Sequence, residues 1–262
     1  MIDLFVIKVG GNVIDNPALL QSFLKKFADV KGKKILIHGG GKIATRIGDK
    51  LGIESKYVDG RRITDAETID VVTMVYGGLV NKQLVAKLQA NGCNAIGLTG
   101  ADANIIPAYK RPVKEVDFGF VGDIRVEDVQ TAPLKALLDA DLTPVFASLT
   151  HDGQGQILNT NADTIASSLA IALSKYYSVR LIYCFEKKGV LHDAGNDDAV
   201  INLIDRVIYK ELREDNVLTD GILPKLENAF AAIESGVAEV LIGHAEDVQS
   251  NTTDTVAGTL IR

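Results

Sequence analysis

The chain has 262 residues, 47% of them apolar and 24% charged, with a formal net charge of −6. That balance belongs to a globular protein able to bury a sizeable core, in one large domain or two smaller ones. The acidic excess argues against a nucleic-acid or anionic-membrane partner, but not against a small anionic ligand held by a local positive patch.

The first predicted element is a short strand, Phe5-Val6-Ile7-Lys8-Val9, that runs into Gly10-Gly11-Asn12. Its β-branched, glycine-bounded run marks a buried strand, in which Lys8 is costly without a negative partner. Gly10 and Gly11 leave backbone N–H groups unscreened for an anion. A lysine whose head reaches solvent, beside an ordinary turn, fits the same residues equally well. Residues 17–30 have helical spacing, with Leu19, Leu20, Phe23, Leu24 and Phe27 on one face. Lys34-Ile35-Leu36-Ile37-His38 repeats the pattern of strand and glycine turn, here Gly39-Gly40-Gly41, and a helix is predicted from Lys42 to about 51. The start of a helix favours negative charge. Two glycine turns at the carboxyl ends of two early strands therefore suggest one phosphate site built from both.

Beyond Tyr57-Val58-Asp59-Gly60-Arg61-Arg62-Ile63-Thr64-Asp65 one long helix is predicted over 66–91, with Thr64 or Asp65 as its cap. It would run roughly 39 Å at ~1.5 Å per residue. Its broad apolar stripe and its Gly77-Gly78 pair, costly in a helix unless close packing requires it, make it a candidate dimer contact. A strand over 94–98, hairpins within 105–125 around Gly119-Phe120-Val121-Gly122, a helix over 127–139 and a strand over 142–149 come next. Leu158-Asn159-Thr160-Asn161-Ala162-Asp163 opens a helix to about 175; Asn161 suits the N-cap and Asp163 the first turn, which leaves Asn159 to be explained otherwise. A strand over 180–185, the loop Glu186-Lys187-Lys188-Gly189-Val190-Leu191, a helix over 204–213, a helix running from Asp220-Gly221-Ile222-Leu223-Pro224-Lys225 to about 235, and strands over 238–242 and 259–261 complete the chain. Strands alternating with helices make the class α/β. A charged, Tyr-rich connection near 175–180 marks the boundary between regions 1–175 and 176–262.

Several chemistries find no support. Cys93 and Cys184 lack paired spacing and read as buried thiols, and His38, His151, His192 and His244 are too scattered to suggest a metal site. Gly39-Gly40-Gly41-Lys42-Ile43-Ala44 with Asp59 fits a dinucleotide fingerprint only loosely, and Ile43 after Lys42 is not a P-loop. Neither a nucleophile elbow nor a protein-kinase catalytic loop is present. No apolar run approaches a membrane span, and Met1-Ile2-Asp3 leads straight into a strand, so a cytoplasmic protein without a signal peptide is expected.

Taken in order, Ile7-Lys8-Val9-Gly10-Gly11-Asn12, His38-Gly39-Gly40-Gly41, Asp59-Gly60-Arg61-Arg62-Ile63-Thr64, Gly119-Phe120-Val121-Gly122, Asn159-Thr160-Asn161-Ala162-Asp163 and Asp220-Gly221-Ile222-Leu223-Pro224-Lys225 resemble the amino acid kinase family over nearly the whole chain. The Gly-Arg-Arg-Ile-Thr and Asn-x-Asn-Ala-Asp pieces point to its members acting on an N-acylated glutamate. The resemblance implies a three-layer αβα sandwich around a mainly parallel open sheet. It also implies transfer of the γ-phosphoryl of ATP, carried with Mg²⁺, to the side-chain carboxylate of the acyl-glutamate, in arginine synthesis. Acetyl, succinyl or another acyl group remains open, as does a catalytically silent sensor of the same fold. By the same resemblance, Lys8 and Lys225 stabilise the transferring phosphoryl and Asp163 holds them. Gly40, Gly41, Arg62 and Asn159 bind the acyl-glutamate. Gly10 and Gly11, with Gly40, meet phosphoryl oxygens, and Glu186, Gly189 and Leu191 lie at the nucleotide. The family usually has an aspartate-led loop where this chain has Glu186-Lys187-Lys188. With the first strand starting by about Leu4, no room is left for the N-terminal helix that links arginine-inhibited members into rings; a homodimer indifferent to arginine is expected.

Overall fold

The computed structural model describes residues 2–58, 60–193, 195–215, 217–218 and 222–262. Asp59 and the Asp220-Gly221 pair, all three part of the sequence motifs, lie outside them. The first part of the chain forms β1 (Leu4–Val9), α1 (Gly11–Asp15), α2 (Pro17–Asp29), β2 (Lys33–His38), α3 (Gly41–Lys50), β3 (Tyr57–Val58), β4 (Arg61–Arg62), α4 (Ala66–Val72), α5 (Asn81–Ala90) and β5 (Ala95–Leu98). Then come β6 (Ala108–Lys110), β7 (Gly122–Ile124), α6 (Thr131–Asp139), β8 (Thr143–Ala147), β9 (Leu149–His151), β10 (Ile157–Asn159) and α7 (Ala162–Leu173). The last part forms β11 (Val179–Phe185), β12 (Leu203–Ile204), α8 (Arg206–Glu214), α9 (Leu223–Glu234), β13 (Glu239–His244) and β14 (Thr259–Ile261).

Eight strands make one sheet in the order β12-β14-β13-β11-β1-β2-β8-β5. Every neighbouring pair is parallel except β13 with β14. A parallel sheet covered on both faces needs strands that are apolar throughout, and β1 and β11 are buried along nearly their whole length. Phe5, Ile7 and Val9 of β1 belong to one apolar cluster, with α1 to α5; Leu4 and Val6 belong to the other, with α6 to α9. The result is the expected three-layer αβα sandwich. The sheet runs without interruption across the 175/176 boundary, since β11 is hydrogen-bonded directly beside β1. Three small antiparallel hairpins, β3–β4, β6–β7 and β9–β10, stand outside the main sheet.

Two local departures from the sequence pattern matter. Gly11–Asp15 is a helix, where the pattern predicts only a turn. The helical run after Asp65 is continuous but not uniform: Thr73–Val80, which holds Gly77 and Gly78, is π-helical between α4 and α5. Such wide turns shift the phase of the side chains beyond them. Asp65, not Thr64, is the cap, accepting from the Thr68 N–H at 2.9 Å.

Candidate active site

Gly10 and Gly40 follow β1 and β2, neighbouring parallel strands, so both glycine turns lie at the same edge of the sheet. Lys8 is side by side with Tyr183 of β11. Its Nζ lies 2.8 Å from Asp163 Oδ1, on the first turn of α7, where the Asn161 side chain accepts from the N–H groups of Asp163 and Thr164. The same Nζ stands 4.8 Å from the centroid of the Phe185 ring, and Lys225 Nζ stands 3.8 Å from it. Two lysines distant in sequence, Lys8 and Lys225, thus meet at one aromatic ring, with Asp163 paired to Lys8. Burial holds the Lys225 amine below its ordinary value, opposed by Asp163, reinforced by Lys8 and opposed again by Glu186.

Glu186 follows Phe185 and accepts from Asn12 Nδ2 at 2.7 Å, while Asn12 Oδ1 accepts from Lys42 Nζ at 2.6 Å. This chain of contacts ties the end of β11 to both glycine turns. Burial raises the Glu186 carboxyl, but the Asn12 hydrogen bond and the charges of Lys225 and Lys42 outweigh it, leaving it below the usual range. Lys187 and Lys188 turn instead to Asp197 and Asp198. Behind Glu186 lies a cavity of about 230 Å³ lined by Phe185, Gly189, Val190, Leu191, Ile222 and Lys225, among others. Gly189 is needed there, because an added Cβ would sit 2.6 Å from Thr259 Oγ1 and 2.9 Å from Val200.

The glycines differ in their tasks. Gly10 donates its N–H to Cys184 O at 2.8 Å, and its missing side chain admits the Phe185 ring, 3.0 Å from where a Cβ would be. Its N–H is therefore committed within the protein rather than open to an anion. Gly11 starts α1, and nothing lies within 4 Å of where its Cβ would be. Gly40 caps α3 and packs against the Tyr76 ring, 3.0 Å from a built Cβ. The first N–H groups of a helix have no partner within it, so the start of α3 presents donors toward the same edge.

Arg62 is buried and held before any ligand arrives. It donates to Gly41 O and Thr45 Oγ1, each at 2.8 Å, and to Ser55 Oγ, and it stacks on Tyr57. Asn159 donates through Nδ2 to Thr64 Oγ1 at 3.1 Å. Its backbone N–H donates to Phe120 O at 2.9 Å. The Gly119-Phe120-Val121-Gly122 stretch lies between them. Gly119 has φ 73°, and a Cβ there would sit 2.2 Å from Thr64 O. Asn159 thus reaches Thr64, two residues beyond Arg62, which itself holds Gly41 O.

Three members of this site lie outside every motif, Phe185 and the Arg62 partners Ser55 and Thr45, while Asn12, Tyr57, Val190 and Ile222 lie in quoted stretches that assign them no role. For Phe185 a signal exists in the two-residue period of its strand, which puts it on the same face as Tyr183 beside Lys8. Among the described residues, no group of three or more His, Cys, Asp or Glu is placed to hold a metal ion. No helix there is long and apolar enough to cross a membrane.

The chain is 59% identical over 246 residues to the acetylglutamate kinase of Cytophaga hutchinsonii, covering 94% of this chain and 92% of that one. It is 58% identical to the acetylglutamate kinase of Bacteroides thetaiotaomicron, covering 95% and 96%. A solved structure from Streptococcus mutans superimposes with a TM-score of 0.78 at 28% identity, covering 100% of this chain and 99% of that one. The amino acid kinase family profile matches residues 3–244, and on this agreement of sequence, fold and site the chain belongs to the amino acid kinase family.

Proposed function

We propose that the chain transfers the γ-phosphoryl group of ATP to the side-chain carboxylate of N-acetyl-L-glutamate, producing an acyl phosphate and ADP in arginine biosynthesis. The observation that carries this reading is the meeting of Lys8 and Lys225 at the Phe185 ring, with Asp163 paired to Lys8. The identity to named acetylglutamate kinases supports the substrate. A carboxylate oxygen attacks the γ-phosphorus, the bond from that phosphorus to the β,γ-bridging oxygen breaks, and ADP leaves with the electron pair. The acceptor is already ionised near neutral pH, so no general base is required. Catalysis then rests on positioning and on stabilising charge that spreads over the phosphoryl oxygens. Lys8 and Lys225 supply that charge and Asp163 restrains their mutual repulsion. The Gly11 and Gly40 N–H groups meet the phosphoryl oxygens, while Gly10 makes room for Phe185. Mg²⁺ enters as part of the nucleotide substrate.

In this reading region 1–175 holds the acyl-glutamate at Gly40, Gly41, Arg62 and Asn159, and region 176–262 holds the nucleotide at Glu186, Gly189 and Leu191. Met74 and Leu79, exposed beside Gly77 and Gly78 on the helical run after Asp65, support a two-fold homodimer through that face. Free thiols at Cys93 and Cys184 and the need for ATP support a cytoplasmic location. The test is coupled ADP release with N-acetyl-L-glutamate, N-succinyl-L-glutamate and free glutamate, together with Lys225→Ala. The expected result is turnover with the acetyl compound, reduced by about 2–4 kcal/mol in transition-state stabilisation by Lys225→Ala. Turnover with the succinyl compound alone would change the substrate, and no turnover with any would leave a binding protein.

A further inference from the structure

His38 and Asn81 are both buried and take no part in the phosphoryl-transfer chemistry proposed for the lysines. His38 ends β2, immediately before the glycine turn. Its Nδ1 lies 2.8 Å from Gly39 O. A carbonyl oxygen can only accept, so Nδ1 carries the proton and Nε2 is the acceptor. Asn81 Nδ2 lies 3.0 Å from that Nε2 and donates its other hydrogen to Val145 O at 2.9 Å. The reverse orientation of the amide would set two acceptors against each other at Val145, so the orientation of Asn81 follows from its partners.

The sheet makes unusual room for this amide. Asn81 Oδ1 is buried with no hydrogen-bond partner, and a Cβ on Gly97 of β5 would fall 1.9 Å from it. A buried acceptor without a partner costs about 1–3 kcal/mol. A leucine would fill that space without the cost, yet the amide is retained where its N–H groups reach His38 and Val145. Asn81 also stands directly after the π-helical turn, whose wider winding sets the phase at which α5 begins.

The consequence falls on one peptide plane. All peptide bonds of the described residues are trans, and in a trans unit the carbonyl and the N–H point opposite ways. Holding Gly39 O toward His38 therefore turns the Gly40 N–H away from it. Tyr76, on the same helical run as Asn81, packs against Gly40 as well. We propose that His38 and Asn81 are positioning residues for phosphoryl transfer: Asn81 selects the His38 tautomer whose Nδ1–H fixes the Gly39 carbonyl, so that the Gly40 N–H faces the transferring phosphoryl group. This rests on the kinase reading of the lysine cluster.

Substitutions at His38 separate aiming from filling. His38→Asn puts an amide N–H near the place of Nδ1, His38→Gln puts one near Nε2, and His38→Leu has neither. Misaiming one backbone donor to a developing charge lowers kcat at least about tenfold. The expected result in coupled ADP release is a kcat loss of that size in His38→Gln and His38→Leu, near-native kcat in His38→Asn, and KM for the acyl-glutamate moving less than kcat. Equal kcat in the three variants, or full activity in His38→Leu, would overturn the proposal. A second measurement does not depend on the variants folding. Long-range ¹H–¹⁵N correlation on the native protein is expected to give a neutral His38 protonated at Nδ1. An Nε2–H tautomer overturns the proposal whatever the variants do. If the native protein releases no ADP with any acyl-glutamate, the kinase reading falls, and the tautomer still reports on the contact itself.

Discussion

Replacing Asp163 by asparagine keeps the shape of the side chain and removes one negative charge from between two lysines. The Lys8 and Asp163 side chains are 10% and 27% exposed and 2.8 Å apart. With an effective dielectric of about 20, the gross attraction at that distance is about 6 kcal/mol. Desolvation of both ions cancels much of it. Removing one member of a buried pair costs about 3–5 kcal/mol, and the partial exposure of Asp163 brings the expectation to about 2–4 kcal/mol. Expressed in the transition state, that is a kcat loss of roughly 30- to 1,000-fold. The change also has a pH signature. Lys225 lies below its ordinary value of 10.5, and Asp163 is the larger of the two charges opposing that depression. Without Asp163 the amine falls further. If Lys225 acts protonated, as proposed, activity is lost as pH rises through its pKa, and in Asp163→Asn this basic limb moves to lower pH. Stability moves the other way: between the depressed folded value and 10.5 the unfolded chain binds more protons, so stability rises with pH across that window. Coupled ADP release and urea melts measured across the alkaline range provide both readouts. A basic limb that stays in place or moves upward, with only stability lowered, would refute the electrostatic role of Asp163 and leave it a cap-region residue.

Arg62→Lys keeps a charge but loses the planar fork that reaches Gly41 O, Thr45 and Ser55 together; KM for the acyl-glutamate is expected to rise at least about tenfold with little change for ATP, and equal effects on both would make Arg62 purely structural. Gly189→Ala drives a Cβ against Thr259 and Val200 and should raise KM for ATP several-fold, with the acyl-glutamate KM unchanged; steady-state kinetics in both substrates checks it. Leu79→Glu charges the proposed two-fold face, so light scattering at micromolar concentration should pass from dimer to monomer, and activity should ignore arginine in both proteins. A hexamer, or marked inhibition by arginine, would show that another surface builds a ring.

What can be read from the chain depends on how local its cause is. Lys8 stands out because a charge in an apolar strand needs a partner, and Asp163 because it sits in a capped first turn; their meeting across β1 and α7 needs only the α/β class. Asn159 stands out because capping does not explain it, and its contact with Thr64 supplies the missing reason. Gly119 and Gly122 are visible as turn residues, while the close approaches that require them, to Thr64 O and to the hydroxyls of Thr150 and Thr160, belong to pairings distant in sequence. The glycine pair at Gly10 suggests an N–H facing an anion, but β11 pairs beside β1 and claims it through Cys184. The π-helical turn is hidden because a period of 3.6 fits the apolar stripe on both sides of it. His38 and Asn81 are invisible as a pair, since no periodicity links a strand end to a helix start 43 residues later.

The sheet order sets how the two ends of the site breathe. β1 is paired on both sides over all six residues, so the backbone bearing Lys8 and Gly10 exchanges its amide hydrogens only when much of the molecule unfolds. Arg62 belongs to a hairpin of two residues per strand, held by a handful of hydrogen bonds, and such a segment opens at a small fraction of the global free energy. If Arg62 holds the acyl-glutamate as proposed, its traffic belongs to the hairpin's local opening and closing, while the backbone of β1 keeps its hydrogen bonds throughout turnover.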